Sequence, residues 1–423
     1  MSQAKTEFLE RSKTFWNPGK TQDWIDMGVD LVIDRREGYH LYDMDGRRLI
    51  DLHLNGGTYN LGHRHPELVE VLKAGTERFD MGNHHFPALA RTALAEALQA
   101  VAPGPNFKYT AYGSGGGEAI DIALKTARHA AQKKKIVSIV KAYHGHTGLA
   151  VKTGDDRFSK LFLSEDAQGE FVQVPFNDLN AMEDALRGRD VAAVIMETIP
   201  ATYGFPMPEV GYLPAVKKLC EKYDAFYIAD EVQTGLMRTG EMWGCTKYGV
   251  EPDIMVTGKG ISGGMYPIAC VLISERCGGW LSEDGFGHIS TMGGAELGCI
   301  VAMKTLEIIQ RPEVRTMVQY IGDYLRAGLD DIMVQFPDFF IGIRQHGVIM
   351  GLEFNHEQGA KPVMKHLYEN GVWAIFSTLD PRVLQFKPGL LLSQADAEDV
   401  LRRVAIAVEL ARDEVMGSRR RTY

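Results

Sequence analysis

The sequence predicts an α/β fold: a mostly parallel sheet covered by helices on both faces, with a smaller α+β domain beside it. Three observations predict it. Between residues 107 and 273, short apolar strand-like runs alternate with stretches of helical spacing. Beyond about residue 330 the pattern changes to shorter strands around two helices. At 423 residues the chain is too long for one simple core.

Residues 1–60 are mixed. Phe15-Trp16-Asn17-Pro18 is an aromatic and polar knot, and residues 39–46 read as a hairpin with an Asp45-Gly46 turn. Helical spacing follows over 66–79 and 88–101. Strands at 107–112, 136–140, 191–196, 226–229, 254–256 and 268–273 are separated by helices at 117–132, 178–186 and 213–223. Helices at 294–309 and 313–334 come next, and the domain boundary is expected near 305–330. The last part carries strands at 339–344, 348–354, 372–376 and 383–386, with helices at 361–369 and 395–414. The expected division is 1–60, 61–315 and 316–423, the two terminal segments building the smaller domain. There is no internal repeat and no low-complexity segment.

Composition bounds the function. An apolar fraction of 45% and a charged fraction of 24% describe an ordinary globular protein. A net charge of −9 argues against a nucleic-acid or anionic-membrane surface. Arg419, Arg420 and Arg421 read as a solvated basic end. The five cysteines, Cys220, Cys245, Cys270, Cys277 and Cys299, form no CxxC or Cys/His ligand pattern, so no metal site is expected. Their odd count suits reduced thiols in a cytoplasm. The N-terminus lacks an apolar signal core, and no stretch is long and apolar enough to span a bilayer.

Two short segments carry the chemistry. In IADEVQTG, residues 228–235, a buried strand delivers Asp230; in DIMVTGKG, residues 253–260, another delivers Thr257, Gly258 and Lys259. A strand-end acid and a lysine among glycines suit a pyridoxal phosphate site. The lysine can form a Schiff base with the aldehyde, and the aspartate can hold the ring nitrogen protonated. YGSGGGEAIDIALKTAR, residues 112–128, follows a strand and opens a helix. Its small residues let the backbone approach a phosphate at the helix N-terminus, although an isolated glycine turn would read the same way. It has neither the spacing of a dinucleotide fingerprint nor the Walker lysine and hydroxyl. In AYHGHT, residues 142–147, Tyr143 or His144 can lie on a planar ring, and His146 reads as structural. Val232 is small enough to pack on a ring face, Gln233 can donate to a phenolic oxygen, and Arg238 reads as a loop or interface residue.

ADEVQTGLMRTG, DIMVTGKGISGGMYPIACV and STMGGAELGCIVA, in this order, together with LGHRHPELVEVL at 61–72, resemble the class-III aminotransferases. The resemblance runs from about Tyr39 to the C-terminus. It implies fold type I, with a large domain built on a seven-stranded-type sheet, pyridoxal phosphate as cofactor, and a homodimer with shared sites that could pair into tetramers. Carried over residue by residue, Lys259 resembles the Schiff-base lysine that also moves the proton, and Asp230 the ring-nitrogen carboxylate. Gly116 and Gly117 match the phosphate donors, Tyr143 the stacking aromatic, and Val232 and Gln233 the ring-packing and phenolate positions. Glu197 matches a strand-end glutamate near the cofactor. Thr291 matches a hydroxyl that reaches the neighbouring subunit's phosphate.

The chain departs from the family pattern at two places. Gln385, in VLQFKPGL, stands where many members carry a carboxylate-gripping arginine, and Gly389 replaces a proline. Thr202, in ETIPATYG, stands where glutamate-using members place the acid that pairs with that arginine. Their joint absence points to a differently built pocket. Lys387, Arg382 and Arg64 are the nearby cations in sequence, each equally readable as a surface charge. Trp16, Tyr59 and the 83–86 run with Phe86 are the expected N-terminal lining of the substrate channel, or ordinary core and interface residues. The expected reaction moves an amino group from a primary amine or ω-amino acid to a keto acid. A lyase acting on a phosphorylated amine, a racemase or an aminomutase could use the same residues. A non-catalytic binding protein of this fold would have no need of Lys259.

Overall fold

The computed structural model describes residues 1–419, so Arg420 and Arg421 of the basic end lie outside the described residues. The chain forms two compact units. One holds residues 56–59 and 66–316, the other residues 1–55, 60–65 and the chain from 317 onward.

The first unit is built on a seven-stranded sheet in the order Phe107–Gly113, Ala269–Ser274, Ile254–Thr257, Phe226–Asp230, Val191–Glu197, Lys135–Ile139, Phe171–Val174. Ala269–Ser274 runs antiparallel to both neighbours, and the remaining pairs are parallel. Val191–Glu197 and Ala269–Ser274 are buried along their whole length, as strands covered on both faces must be. The helix Gly116–Ala131 covers one face with Ile120, Ala123, Leu124 and Ala127, which recur at helical spacing and pack with Ile195, Ile228, Ile254 and Val256. Parallel pairing has a direct consequence for chemistry. Neighbouring strands end at the same edge, and the register sets Glu197 opposite Asp230 and Asp230 opposite Val256. Two acids and the approach to Lys259 therefore meet at one sheet edge.

The second unit holds two four-stranded sheets. One runs Ile33–Glu37, His40–Asp43, Arg48–Asp51, Val372–Trp373; the other runs Phe340–His346, Ile349–Phe354, Asp380–Phe386, Ile375–Ser377. The expected hairpin at 39–46 is present and extends to Asp51, with Gly46 at φ +82° in its turn. The single strand expected at 372–376 is two strands in different sheets. Val372–Trp373 pairs parallel with the hairpin, and Ile375–Ser377 pairs antiparallel with Asp380–Phe386. Ala374 is fully buried where the chain changes sheet. One apolar run reads identically whichever partner each residue takes.

The aromatic knot at 15–18 is a joint between two helices that the sequence reading left out, Gln3–Phe15 and Pro18–Asp26. Asn17 caps the second, its side-chain oxygen accepting from the Lys20 amide at 2.9 Å, and Pro18 takes the first helical position. The strand Phe171–Val174 was also not anticipated; it is a four-residue edge strand, only partly buried. The helix expected at 66–79 ends at Gly75. Gly389 has a packing reason in this unit. A side chain there would place its Cβ 1.9 Å from Cε1 of Tyr39, whose hydroxyl donates to the Asn60 carbonyl at 2.8 Å and accepts from the Leu391 amide at 3.0 Å.

Among the described residues no helix is long and apolar enough to cross a membrane, and no cluster of His, Cys, Asp and Glu could hold a metal ion. All five cysteines are free and buried, and burial pushes the thiols of Cys220, Cys245 and Cys270 up.

Candidate active site

A cavity of about 210 Å³ opens at the sheet edge where Glu197 and Asp230 meet. Nine of the residues singled out from sequence line it: Gly116, Gly117, Tyr143, His144, Glu197, Asp230, Val232, Gln233 and Lys259. They come from the ends of the strands Lys135–Ile139, Val191–Glu197, Phe226–Asp230 and Ile254–Thr257 and from the helix Gly116–Ala131, which follows Phe107–Gly113.

Lys259 opens the one-turn helix Lys259–Ser262 directly after the strand Ile254–Thr257. Its φ of +42° lies in the left-handed region, uncommon for a residue with a side chain. The turn is pinned by Ser262, whose hydroxyl donates to the Lys259 carbonyl at 2.7 Å and accepts from the Gly264 amide at 3.0 Å. Gly56 makes room for the lysine stem. A Cβ there would stand 2.9 Å from the lysine Cε. Burial pulls the Lys259 amine below the usual lysine range, the Asp230 and Glu197 carboxylates pull it back up, and the Arg238 guanidinium lowers it again. A lowered amine is neutral more of the time and so a better nucleophile.

Each oxygen of Asp230 has one protein donor. Oδ1 accepts from the Val232 amide at 3.1 Å, and Oδ2 lies 2.7 Å from His144 Nδ1. Glu197 accepts from the Tyr143 amide at 3.0 Å and the Ala201 amide at 3.3 Å. Burial pushes its carboxyl up to about 7, against the pull of His144 and with the push of Asp230. Tyr143 sits edge-on to His146 at 5.3 Å and to Phe158 at 5.5 Å, an aromatic cluster that holds its ring.

The glycine loop fits an anion. Gly116 and Gly117 are the first residues of a 16-residue helix, where backbone amides have no partner within the helix. Gly145, at φ +109°, packs so closely that a Cβ on it would lie 2.8 Å from the Gly117 Cα. The wall here is therefore backbone amide, with no side chain to fill the space. Glu118 takes the Ser114 amide and hydroxyl, both at 2.7 Å, and leaves the amides of Gly116 and Gly117 on the cavity side. A phosphate, an amine-reactive aldehyde and a basic ring nitrogen would each meet a matching group: helix amides, Lys259 and Asp230.

A family model described as aminotransferase class-III matches residues 24–408. The chain belongs to the class-III aminotransferases. An uncharacterized aminotransferase from Archaeoglobus fulgidus is 42% identical over 96% of this chain and 95% of its own. A putrescine aminotransferase from Pectobacterium atrosepticum is 30% identical over 94% of this chain and 86% of its own. Among solved structures, a transaminase from the marine bacterium Virgibacillus superposes with a TM-score of 0.89 at 24% identity, covering 97% of this chain and 100% of its own. That likeness shows the fold. The reaction class is amino transfer, and the family's members depend on pyridoxal phosphate.

The other sequence-predicted residues of this aminotransferase are not among those that line the 210 Å³ cavity. Thr291 is exposed and does not line the cavity. Tyr59 is half-buried with its ring over Gly264, where a Cβ would come within 2.2 Å of it. Phe86 is exposed, Thr202 is half-buried, and Lys141 stands 4.9 Å from the ring of the adjacent Tyr203. In the second unit, Trp16 is exposed, Arg64 is exposed, and Arg382 pairs with Asp380 at 2.9 Å and Glu353 at 3.6 Å. Lys387 is buried, and its amine donates to the Gln385 side-chain oxygen at 2.5 Å.

Sequence reasoning passed over several participants. Ile120, Gly145, Ile199 and Thr234 also line the cavity. Glu231 is the most consequential. It is fully buried and accepts from the hydroxyls of Thr198 and Thr234 and the amides of Gly244 and Cys245. It ties the loop carrying Val232 and Gln233 to the chain at 244–245. Its signal was the acid next to Asp230: two adjacent strand-end acids face opposite ways, so one must find buried donors.

Proposed function

We propose that this aminotransferase takes its amino group from a primary amine or ω-amino acid and gives it to a keto acid, with pyridoxal phosphate held in the 210 Å³ cavity. One observation carries the reading. The amine of Lys259, lowered by burial, and the carboxylate of Asp230, fixed on both oxygens, line the same small cavity. When bound, the cofactor supplies an aldehyde for the amine and a protonated ring that accepts the electrons of the bond being broken.

The protein's own residues do the rest. Gly116 and Gly117 would hold the phosphate with backbone amides. Asp230 would accept a hydrogen bond from a protonated ring nitrogen. Tyr143 and Val232 would hold the ring between them, and the Gln233 side-chain amide would donate to a phenolic oxygen. With the cofactor bound, the neutral amine of Lys259 would be the base that takes the proton from the carbon beside the substrate nitrogen and gives it back. A neutral lysine can accept that proton, which is why its lowered basicity matters.

The donor class rests on two substitutions. Gln385 replaces the arginine that grips an α-carboxylate in many members, Thr202 replaces the glutamate that pairs with that arginine, and an amide cannot supply the bidentate charge. Similarity to a putrescine aminotransferase supports amine donors. The test is an absorbance titration of the cofactor-loaded protein with single donors and no acceptor: L-glutamate, L-alanine, β-alanine, a diamine, a phenylalkylamine and O-phosphoethanolamine. Conversion of the aldehyde-form band to the pyridoxamine phosphate band by the diamine or β-alanine is the expected result. Conversion by L-glutamate alone would refute the donor class, and release of inorganic phosphate from O-phosphoethanolamine would make the protein a lyase. Lys259→Ala should abolish covalent cofactor attachment and turnover together.

A further inference from the structure

We infer that Glu118 is a positioning residue for the phosphate loop and acts on it in two opposed ways. Its acceptor oxygen clamps Ser114, which keeps the amides of Gly116 and Gly117 open to an anion, while its charge repels that anion. The inference rests on the reading above, that the glycine loop takes the cofactor's phosphate.

The start of the helix Gly116–Ala131 departs from an ordinary capped helix. Its N-cap is Gly115, which has no side chain to bond the first-turn amides, and no side-chain cap is present. Glu118 is the third helical residue, the position from which a glutamate ordinarily bonds the N-cap amide. Here it reaches one residue further back. Its Oε2 accepts from both the amide and the hydroxyl of Ser114, each at 2.7 Å. Ser114 and Glu118 therefore bracket three consecutive glycines, Gly115 to Gly117, the residue type with most backbone freedom to lose. Closing that bracket in advance orders the loop before an anion arrives.

The other carboxylate oxygen is also engaged. Oε1 lies 3.6 Å from His288 Nε2. The Lys125 ammonium, which can only donate, stands 2.8 Å from His288 Nδ1. Nδ1 is then the acceptor, and the ring proton sits on Nε2, facing Glu118. Lys125 is thus engaged with the histidine rather than with the carboxylate. Burial pushes the Glu118 carboxyl up, but hydrogen bonds from Ser290 and Ser114 outweigh it and hold it below the usual range. Glu118 is therefore charged at neutral pH. An acid in the first turn favours a helix on its own, but beside a phosphate it is a like charge.

Equilibrium dialysis of cofactor-stripped protein tests both halves. One probe is inorganic phosphate, which needs only the loop. The other is 5′-deoxypyridoxal, which carries the ring and the aldehyde without a phosphate. Glu118→Gln keeps an acceptor for Ser114 and removes the charge. At low salt it should bind phosphate about fivefold tighter than the parent protein, a gain that shrinks as salt rises. Glu118→Ala is equally uncharged but has no acceptor. It should bind phosphate about tenfold more weakly than Glu118→Gln, because the glycines must then be ordered on binding. If Glu118→Ala does not fold, Ser114→Ala loses one of the two bonds at unchanged charge and should weaken phosphate about threefold relative to the parent. None of these changes should alter 5′-deoxypyridoxal binding. Glu118→Gln binding no tighter than the parent, Glu118→Ala equal to Glu118→Gln, or 5′-deoxypyridoxal changing alongside phosphate overturns the inference. Failure of phosphate to compete with pyridoxal phosphate in the parent protein overturns the phosphate reading itself, and the inference with it.

Discussion

Glu197 shows how one buried side chain links the site to pH. Burial raises its carboxyl from an ordinary 4.5 to about 7. Between those values the folded protein holds a proton that the unfolded chain has released. Stability is therefore fully present below 4.5 and is lost as pH rises through 7. Glu197→Gln cannot ionise. Cofactor-free Glu197→Gln should match the parent protein in acid and exceed it by about 3 kcal/mol in mild alkali, read from urea unfolding across pH. A parent curve parallel to that of the variant would disprove it. Glu231 is also raised by burial, but it is held by far more hydrogen bonds. Its carboxylate satisfies four donors, so Glu231→Ala leaves them buried and unmatched, and should cost about 3 kcal/mol or more in the same assay. An unchanged unfolding midpoint would mean that the pocket admits water.

At the level of elements, glycines mark where two pieces of chain approach too closely for a side chain. Gly145→Ala would set a Cβ 2.8 Å from the Gly117 backbone, which has no flexible end to move aside. The two loops would have to separate, and phosphate binding should weaken while the fold persists. Inorganic phosphate competing with cofactor uptake measures this directly; unchanged competition would remove the loop from the phosphate site. Gly389→Ala meets the Tyr39 ring at 1.9 Å. Overpacking of this kind costs about 1–3 kcal/mol. The loss should shrink in a Tyr39→Ala background, because the clash and the two Tyr39 hydroxyl bonds are then already gone. Equal losses in both backgrounds would place the strain elsewhere.

For the whole molecule, the exposed apolar side chains of the first unit bear on assembly. Phe162, Leu163, Phe286 and Ile289 are more than half exposed, at 72%, 88%, 60% and 54%. Where exposed apolar groups form a contiguous patch, a second chain is one partner that could cover it. Ile289 and Phe286 stand on the same segment as Thr291, the residue expected to reach a neighbour's phosphate. Sedimentation should give twice the 47.0 kDa chain mass, and Phe286→Asp with Ile289→Asp should shift it to one chain and weaken cofactor retention. A monomer in the parent protein would remove the shared-site expectation.

Much of this protein is legible without coordinates. Strand runs between 107 and 273 announce the parallel sheet because strands buried on both faces must be continuously apolar. Lys259, Asp230 and the glycine loop are legible because each sits next to a strand end with a fixed local signature. Tertiary structure alone decided the remainder. Gly56 gives no sign that it clears space for a lysine some 200 residues later. Residues 372–376 read as one strand because apolar alternation does not say which partner each residue pairs with. The bond between His144 and Asp230 joins residues 86 positions apart, and only the sheet's register brings their strand ends together. Local chemistry is written along the chain, whereas distances between strand ends exist only after the sheet has formed.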